Sequence, residues 1–188
     1  MALISLQPGW RRPVWVGVLI ASSLVFSLGF ACAAPLAAFA AIGAVTLPRP
    51  GAFGLILAVW LANQVTGFAR LHYPLELTAF AWGLALCAAA LLAGLAAQWT
   101  SGGLRDKNAL LSSSAAFLVS FVAYEGALVA VAALTASGLQ NFALPIVLRI
   151  FAINAASFAA LLLMYRASFG ARVADSVEAG ARERMRQA

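Results

Sequence analysis

Long apolar runs, separated by short polar or proline- and glycine-containing segments, dominate the chain. The first run continues without a charged residue over residues 13–48. A single helix of that length would measure roughly 54 Å, well beyond the ~30 Å hydrocarbon core of a bilayer, so the run must break. Gly29 and Pro35 are the available helix breakers. They predict one membrane span over residues 14–31 and a short second one over residues 35–47.

Further apolar runs follow, each bounded by turn or loop signals. Two prolines and a glycine predict a non-helical turn over residues 47–51, and polar residues predict loops over 100–108 and 137–141. The remaining apolar runs predict membrane-spanning helices over residues 52–68, 75–99, 111–136 and 143–165.

The second of these six predicted spans is the doubtful one. Its thirteen residues would cover only ~20 Å, so a segment that dips into the bilayer is the alternative to a full crossing. At the two ends of the chain, residues 1–12 and 166–188 are predicted to be cytoplasmic. The second of these alternates Arg with acidic residues, which indicates a helix on or near the membrane surface.

Composition places the chain in the all-α integral membrane class. Hydrophobic residues make up 64% and charged residues 10%, against about 25% charged in soluble domains. The net charge of +6 does not indicate nucleic-acid binding, because the basic residues lie at the ends of apolar runs rather than in one patch. The chain is therefore predicted to be a multi-pass membrane protein.

The positions of the basic residues also favour six spans over five. With six spans and both termini cytoplasmic, Arg70 is the only basic residue in an outer loop. Five spans would leave Arg11, Arg12 and Arg70 outside. The six-span topology puts the segment between the third and fourth spans at the outer mouth of the helices.

That segment, residues 60–76, gathers polar residues in an otherwise apolar chain and contains His72, the only histidine. One interpretation is an interfacial histidine solvated at the membrane surface; the other is a metal ligand. A metal held by protein alone would need further ligands, whereas one histidine suffices as the axial ligand of a metal already held by a corrinoid or porphyrin. The candidate ligand-binding residues of the segment are Trp60, Asn63, Gln64, Arg70, His72, Tyr73 and Glu76.

Ionisable residues also occur inside predicted spans, where they are costly and often functional. Glu125 lies near the middle of the fifth span, and Arg149 and Asn154 lie in the sixth. Either Glu125 joins the last two helices through Arg149 or Asn154, or these residues line a water-filled cavity that opens outward. Tyr124 and Asn141 are further candidates for that cavity.

The helices are also rich in alanine and glycine, above all the first two and the fourth. Small residues at four-residue spacing favour close packing of neighbouring helices. The alternative is a surface on which another membrane protein slides.

Several short motifs resemble the substrate-binding S components of energy-coupling-factor vitamin transporters, with the solitary cobalamin-specific proteins as the nearest likeness. They are FACAAPLAAF (residues 30–39), WLANQ (60–64), Gly-Phe at 67–68, Tyr-Pro at 73–74 and Trp-Gly at 82–83. The likeness includes the chain length, the Ala-rich spans and the topology, and it extends over most of residues 13–165.

The resemblance implies that residues 13–165 form a six-helix domain that binds cobalamin (vitamin B12) on the outer side, without a cofactor of its own and without enzymatic activity. Some family members use a cysteine as the cobalt ligand, so Cys32 competes here with His72 for that role. Cys87 lies mid-helix and is interpreted as structural. The small-residue face of the first two helices resembles the surface by which S components dock on a transmembrane coupling protein with ATPases.

Two other functions are open at this point. One is an intramembrane enzyme or assembly factor acting on haem or lipid, with His72, Glu125 and Arg149 as its polar centre. The other is a structural helix bundle within a larger membrane complex. The sequence contains no Walker motif and no HExxH motif, so neither ATP hydrolysis nor zincin chemistry is expected of this chain.

Overall fold

The computed structural model describes residues 11–30, 34–104 and 108–170, and within these ranges the chain forms helices and no strand. The prediction of an all-α protein is confirmed for this part of the chain. The elements are α1 (Arg11–Phe30), α2 (Leu36–Thr46), α3 (Arg49–Ala69), α4 (Leu77–Gly103), α5 (Ala109–Leu134), a 3₁₀ turn (Leu139–Phe142), α6 (Leu144–Tyr165) and a π-helical turn (Arg166–Gly170).

Four helical segments among the described residues are long and apolar enough to cross a membrane: Arg49–Ala69, Leu77–Gly103, Ala109–Leu134 and Leu144–Ser168. They correspond to four of the predicted spans. The remaining two apolar segments, Arg12–Phe26 and Leu36–Thr46, are shorter. The chain is thus a multi-pass helical membrane protein.

Two predicted boundaries are wrong by a few residues, one at a proline- and glycine-containing turn and one at a polar loop. The turn predicted over residues 47–51 is confined to Leu47 and Pro48, because α3 already begins at Arg49. Pro50 occupies the first turn of α3, where its missing N–H would have no intrahelical partner. Similarly, α4 continues past the predicted end at residue 99 to Gly103.

The short helix α2 lies at the centre of the packing. All of its eleven residues are buried, and it contacts α3, α4 and α5. Its length is roughly 16 Å, about half of the hydrocarbon core. The doubtful second span is therefore a short helix covered on all sides by protein.

Small side chains make this central packing possible. A Cβ atom at Gly94 of α4 would clash with Ile56 of α3 and lie 3.9 Å from Ala40 Cβ of α2. A Cβ at Gly43 of α2 would lie 3.3 Å from Leu55 Cδ2. The packing interpretation of the small residues is thus confirmed in α2 and α4, where Ala37, Ala38, Ala40, Ala41, Ala89, Ala90, Ala93 and Ala97 are buried.

Where the expected small-residue docking face lies on α2, it is covered by the chain's own helices. Docking of a coupling protein on the first two helices stays a prediction.

Polar side chains from other helices form hydrogen bonds with α2 near both of its ends, to the backbone near the N-terminus and to the Thr46 side chain at the C-terminus. Near its N-terminus, Ala38 N donates to Asn154 Oδ1 at 3.1 Å, and Ser120 Oγ donates to Ala37 O at 3.0 Å. At its C-terminus, Trp15 Nε1 of α1 donates to Thr46 Oγ1 at 3.1 Å. Ala38 N is one of the N-terminal N–H groups of α2, which have no acceptor within the helix, and Asn154 supplies the partner that it needs.

The chain divides into two compact units, residues 1–158 and 159–188. In the second unit the described part consists of the last residues of α6 and the π-helical turn. The predicted surface helix beyond residue 170, the N-terminal segment 1–10 and Cys32 lie outside the described residues.

Candidate functional site

The polar turn between α3 and α4 folds back onto the end of α3. Arg70 N and Leu71 N both donate to Thr66 O, at 2.9 and 3.1 Å. Tyr73 N donates to Gly67 O at 3.1 Å. These bonds satisfy C-terminal carbonyls of α3 and hold the turn in one conformation.

His72 lies at the tip of this turn in the left-handed region, with φ 55°. A side chain is uncommon there, although histidine, asparagine and aspartate are several-fold enriched among those that occur. The imidazole is exposed, as are the side chains of Arg70 and Glu76. The turn therefore presents a histidine, a cation and a carboxylate on the surface of the protein.

The aromatic ring of Tyr73 anchors the turn from the other side. A Cβ atom at Gly67 would lie 2.6 Å from Tyr73 Cε2, so only glycine allows the ring to approach α3 this closely. Tyr73 also meets Phe68 edge to face at 6.1 Å, and Phe68 stacks on Phe80 of α4 at 4.9 Å. The turn is thus fixed to α3, and Phe68 connects this contact to α4.

Trp60 and Gln64, two predicted ligand-binding residues, lie at the contact between α3 and α4. Trp60 Nε1 donates to Gly83 O at 2.8 Å. A Cβ atom at Gly83 would lie 2.9 Å from Gln64 Oε1. Trp60, Gln64 and Gly83 therefore pack α3 against α4, and Asn63 is half-buried.

Next to these contacts an apolar groove of about 510 Å³ opens between α3 and α4. Its lining is almost wholly apolar, although Gln64 contributes to it. The groove consequently offers few hydrogen bonds to a polar ligand.

Asn141 lies at the same end of α4 as His72. It belongs to the 3₁₀ turn, is exposed, and its N–H bonds Gly138 O at 3.0 Å. A Cβ atom at Gly138 would lie 3.2 Å from Trp82 Cζ2 near the start of α4. The structure therefore brings the turns that carry His72 and Asn141 to one end of the helices.

The polar residues of the last two helices do not gather in one site. Glu125 and Tyr124 are buried in α5, and Glu125 Oε2 has no hydrogen-bond partner, whereas Arg149 is exposed. Asn154 Oδ1 accepts from Ala38 N, and its Nδ2 donates to Ile150 O at 3.0 Å. Asn154 is thus committed to α2 and to its own helix, not to Glu125.

Metal-ligating residues are sparse in the part of the chain that the structure describes. Within it, no three side chains of the types His, Cys, Asp and Glu come close enough together to hold a metal ion. Cys87 is a free, half-buried thiol in α4.

Sequence reasoning missed two polar residues that the structure makes prominent. Ser120 bonds the backbone of α2, and Gln98 is buried near the end of α4 with neither amide atom paired. Gln98 could have been identified from the sequence, because it is a lone amide late in an apolar run. Ser120 could not, because serine is common in membrane helices and does not stand out from the sequence.

No family model, curated protein or solved structure matches the chain. Its class therefore rests on its own sequence and fold, and these define a multi-pass helical membrane protein.

Proposed function

We propose that the chain is a membrane-embedded binding and uptake protein for cobalamin, with His72 as the axial protein ligand to the cobalt. The observation that carries the proposal is the exposed imidazole on an anchored turn. A corrin ring already supplies four nitrogen ligands to its metal, so a single protein ligand on an axial position is sufficient.

The surroundings of His72 suit a large, amphipathic ligand. Arg70 and Glu76 lie on the same turn and offer hydrogen bonds to the amide groups at the edge of a corrin. Leu75 and Leu77 are 78% and 86% exposed and offer apolar contact to its face. Asn141 is a further polar contact at the same end of the helices, whereas Tyr73 holds the turn and Trp60 and Gln64 pack α3 against α4.

The topology that accompanies this proposal has six membrane segments, both termini in the cytoplasm and His72 outside. The distribution of basic residues supports it. Uptake across the bacterial cytoplasmic membrane would then need a coupling protein with ATPases, because the sequence contains no ATP-binding motif of its own.

The test is the absorption spectrum of cobalamin titrated with purified protein and two variants of the same residue. His72→Gly and His72→Asn both remove the imidazole, and both residues tolerate a positive φ. We expect the wild type to shift the spectrum as an axial nitrogen ligand does, and both variants to lose that shift while α3 and α4 remain folded.

Cys32→Ala is the matched variant for the competing ligand and is expected to retain the shift. If Cys32→Ala abolished it and His72→Gly did not, the ligand assignment to His72 would be wrong. If the wild-type protein bound no corrinoid, the proposed function itself would fall.

A further inference from the structure

The apolar groove between α3 and α4 plays no part in the proposed binding of cobalamin. Its volume of about 510 Å³ is within the range of small-molecule sites. Both of its walls belong to helices that are long and apolar enough to cross a membrane, Arg49–Ala69 and Leu77–Gly103. Val65 and Leu84 line it and are 57% and 64% exposed, so the groove opens on the surface of the helix pair. When two helices cross a bilayer, such a surface meets lipid.

The lining of the groove favours a hydrocarbon occupant. Its accessible surface is almost wholly apolar, and the indole N–H of Trp60 is already bonded to Gly83 O at 2.8 Å. A polar group that entered the groove would give up its hydrogen bonds elsewhere without gaining others, which is costly. Phe68 and Phe80 add aromatic surface to the same lining. An acyl chain pays no such cost, because it has no polar atoms to desolvate.

The groove runs along the two helices rather than across them. On α3 its lining extends from Trp60 to Ala69, about 14 Å of helix. Membrane-crossing helices lie within about 40° of the bilayer normal, and lipid chains follow the same direction on average. An acyl chain therefore fits the groove without leaving the alignment of its neighbours in the leaflet.

An arginine follows directly on the end of the groove. Ala69 is the last lining residue on α3, and Arg70 follows it as the C-cap residue with an exposed side chain. Arginine at the end of a membrane span is typical of the headgroup region, and its guanidinium is well suited to binding phosphate. A phospholipid with one chain in the groove thus places its phosphate near a complementary charge.

We propose that the groove binds one acyl chain of a membrane phospholipid, with the phosphate of the same molecule at Arg70. The groove supplies the apolar contact, and Arg70 supplies the charge. The proposal does not depend on the function assigned to His72, and cobalamin is left out of the experiments that test it.

Photo-crosslinking shows where the chain lies. The delipidated protein in detergent is mixed with one equivalent of a phospholipid that carries a diazirine in one acyl chain. We expect the crosslinked peptides to contain residues 60–69 or 80–84, and an excess of unlabelled phospholipid to prevent the crosslinks. Crosslinks spread evenly over α5 and α6 as well would contradict a defined site.

Native mass spectrometry with paired variants measures the contribution of the groove. Val65→Trp adds a ring that fills part of the groove and should lower phospholipid affinity about tenfold. Leu57→Trp adds the same ring at a 45% exposed position of α3 that is not part of the lining, and it should leave the affinity within about twofold of the wild type.

A second pair of variants measures the contribution of the charge. Arg70→Gln should lower phospholipid affinity about threefold, the modest effect of an exposed ion pair. Glu76→Gln removes the carboxylate of the same turn and should leave the affinity equal or higher. Diacylglycerol with the same chains lacks the phosphate, so Arg70→Gln should leave its affinity unchanged.

Other outcomes would overturn the proposal. An unchanged affinity of Val65→Trp would remove the groove from the site, and equal losses in Arg70→Gln and Glu76→Gln would remove the phosphate from Arg70. Tighter binding of a free fatty acid than of the phospholipid would indicate a different source of the chain. A dimer of the delipidated protein that prevents crosslinking would make a second copy the occupant.

Discussion

Two buried side-chain amides of this protein differ in their hydrogen-bond partners. This difference determines how much each amide stabilises the fold. Asn154 accepts from Ala38 N in α2 and donates to Ile150 O, whereas neither amide atom of Gln98 has a partner. A buried hydrogen bond stabilises the fold relative to its truncation, because truncation leaves the other partner unsatisfied. An unpaired amide has no such effect.

Replacement of each amide by leucine should therefore have opposite results. We expect Asn154→Leu to lower the free energy of unfolding by about 1–3 kcal/mol, because Ala38 N loses its acceptor inside the protein. Gln98→Leu in lipid-free detergent should leave it unchanged or raise it. Equilibrium unfolding in detergent measures both, and equal losses in the two variants would contradict the prediction.

His72 combines a candidate chemical role with a backbone conformation that few side chains adopt. Its φ of 55° costs an ordinary L-residue of order 1 kcal/mol, and glycine escapes that cost. The conformation follows from the bonds that fold the turn back onto α3, not from the imidazole itself.

Substitutions of His72 should therefore change the free energy of unfolding independently of their effect on ligand binding. We expect His72→Gly to raise the free energy of unfolding by up to ~1 kcal/mol and His72→Val to lower it by about 1 kcal/mol or more, since a β-branched residue is a strong outlier at positive φ. Both changes remove the imidazole. Thermal unfolding in detergent is the measurement, and a loss of stability in His72→Gly would show that the imidazole itself holds the turn.

At the scale of single elements, two of the three glycines of α3 lie in contrasting surroundings. Tyr73 covers Gly67 so closely that a Cβ atom has no room, whereas nothing lies within 4 Å of a Cβ at Gly54. The first glycine is required by the contact between the turn and the helix, and the second is not.

Substitution of each glycine by alanine should therefore change the free energy of unfolding differently. We expect Gly67→Ala to lower the free energy of unfolding by about 1–3 kcal/mol through displacement of the Tyr73 ring. Gly54→Ala should be neutral or stabilising by up to ~1 kcal/mol, since alanine is the better helix former. In the double variant Gly67→Ala/Tyr73→Ala, the loss should be smaller than the sum of the single losses, and simple additivity would contradict the proposed contact.

The element that organises the packing is α2, although it is the shortest α-helix described. It carries no charge, is buried along its whole length, and is hydrogen-bonded near its ends to side chains of α1, α5 and α6. Membrane proteins tolerate a helix that ends inside the bilayer only where protein or water satisfies its terminal groups, and Asn154 does so here for Ala38 N.

At the scale of the whole chain, the polar features lie at two ends. The turns with His72 and Asn141 lie beside the start of α4, and a smaller cavity, whose lining includes Arg49 and Gln98, lies at its end. The length of α4 separates them by roughly 40 Å, which exceeds the hydrocarbon core. We therefore expect them to lie on opposite faces of the membrane.

This arrangement can be tested by labelling single cysteines in whole cells. In a chain with Cys32→Ser and Cys87→Ser, we expect Glu76→Cys to react with a membrane-impermeant maleimide in intact cells. Gly102→Cys should react only after permeabilisation, because basic residues mark its side as cytoplasmic. The reverse pattern would invert the topology, and labelling of both from one side would mean that α4 does not cross.

Much of this picture follows from the sequence alone. Apolar runs longer than 18 residues with few charges determine membrane helices in any context, so the existence and approximate bounds of α3 to α6 were predictable. The polar turn at His72 was predictable as well, because polar residues between two such runs must leave the hydrocarbon. Its exact backbone geometry was not, since it depends on Tyr73 packing against Gly67.

Only the tertiary structure decided which apolar residues face protein and which face lipid. Lipid and protein interior are similarly apolar, so hydrophobicity does not distinguish the buried α2 from a lipid-facing span. The hydrogen bond from Ala38 N to Asn154 joins residues 116 positions apart, and no local sequence pattern predicts it. The same holds for Gln98, whose lack of a partner is a property of its neighbours in space and not of its place in the sequence.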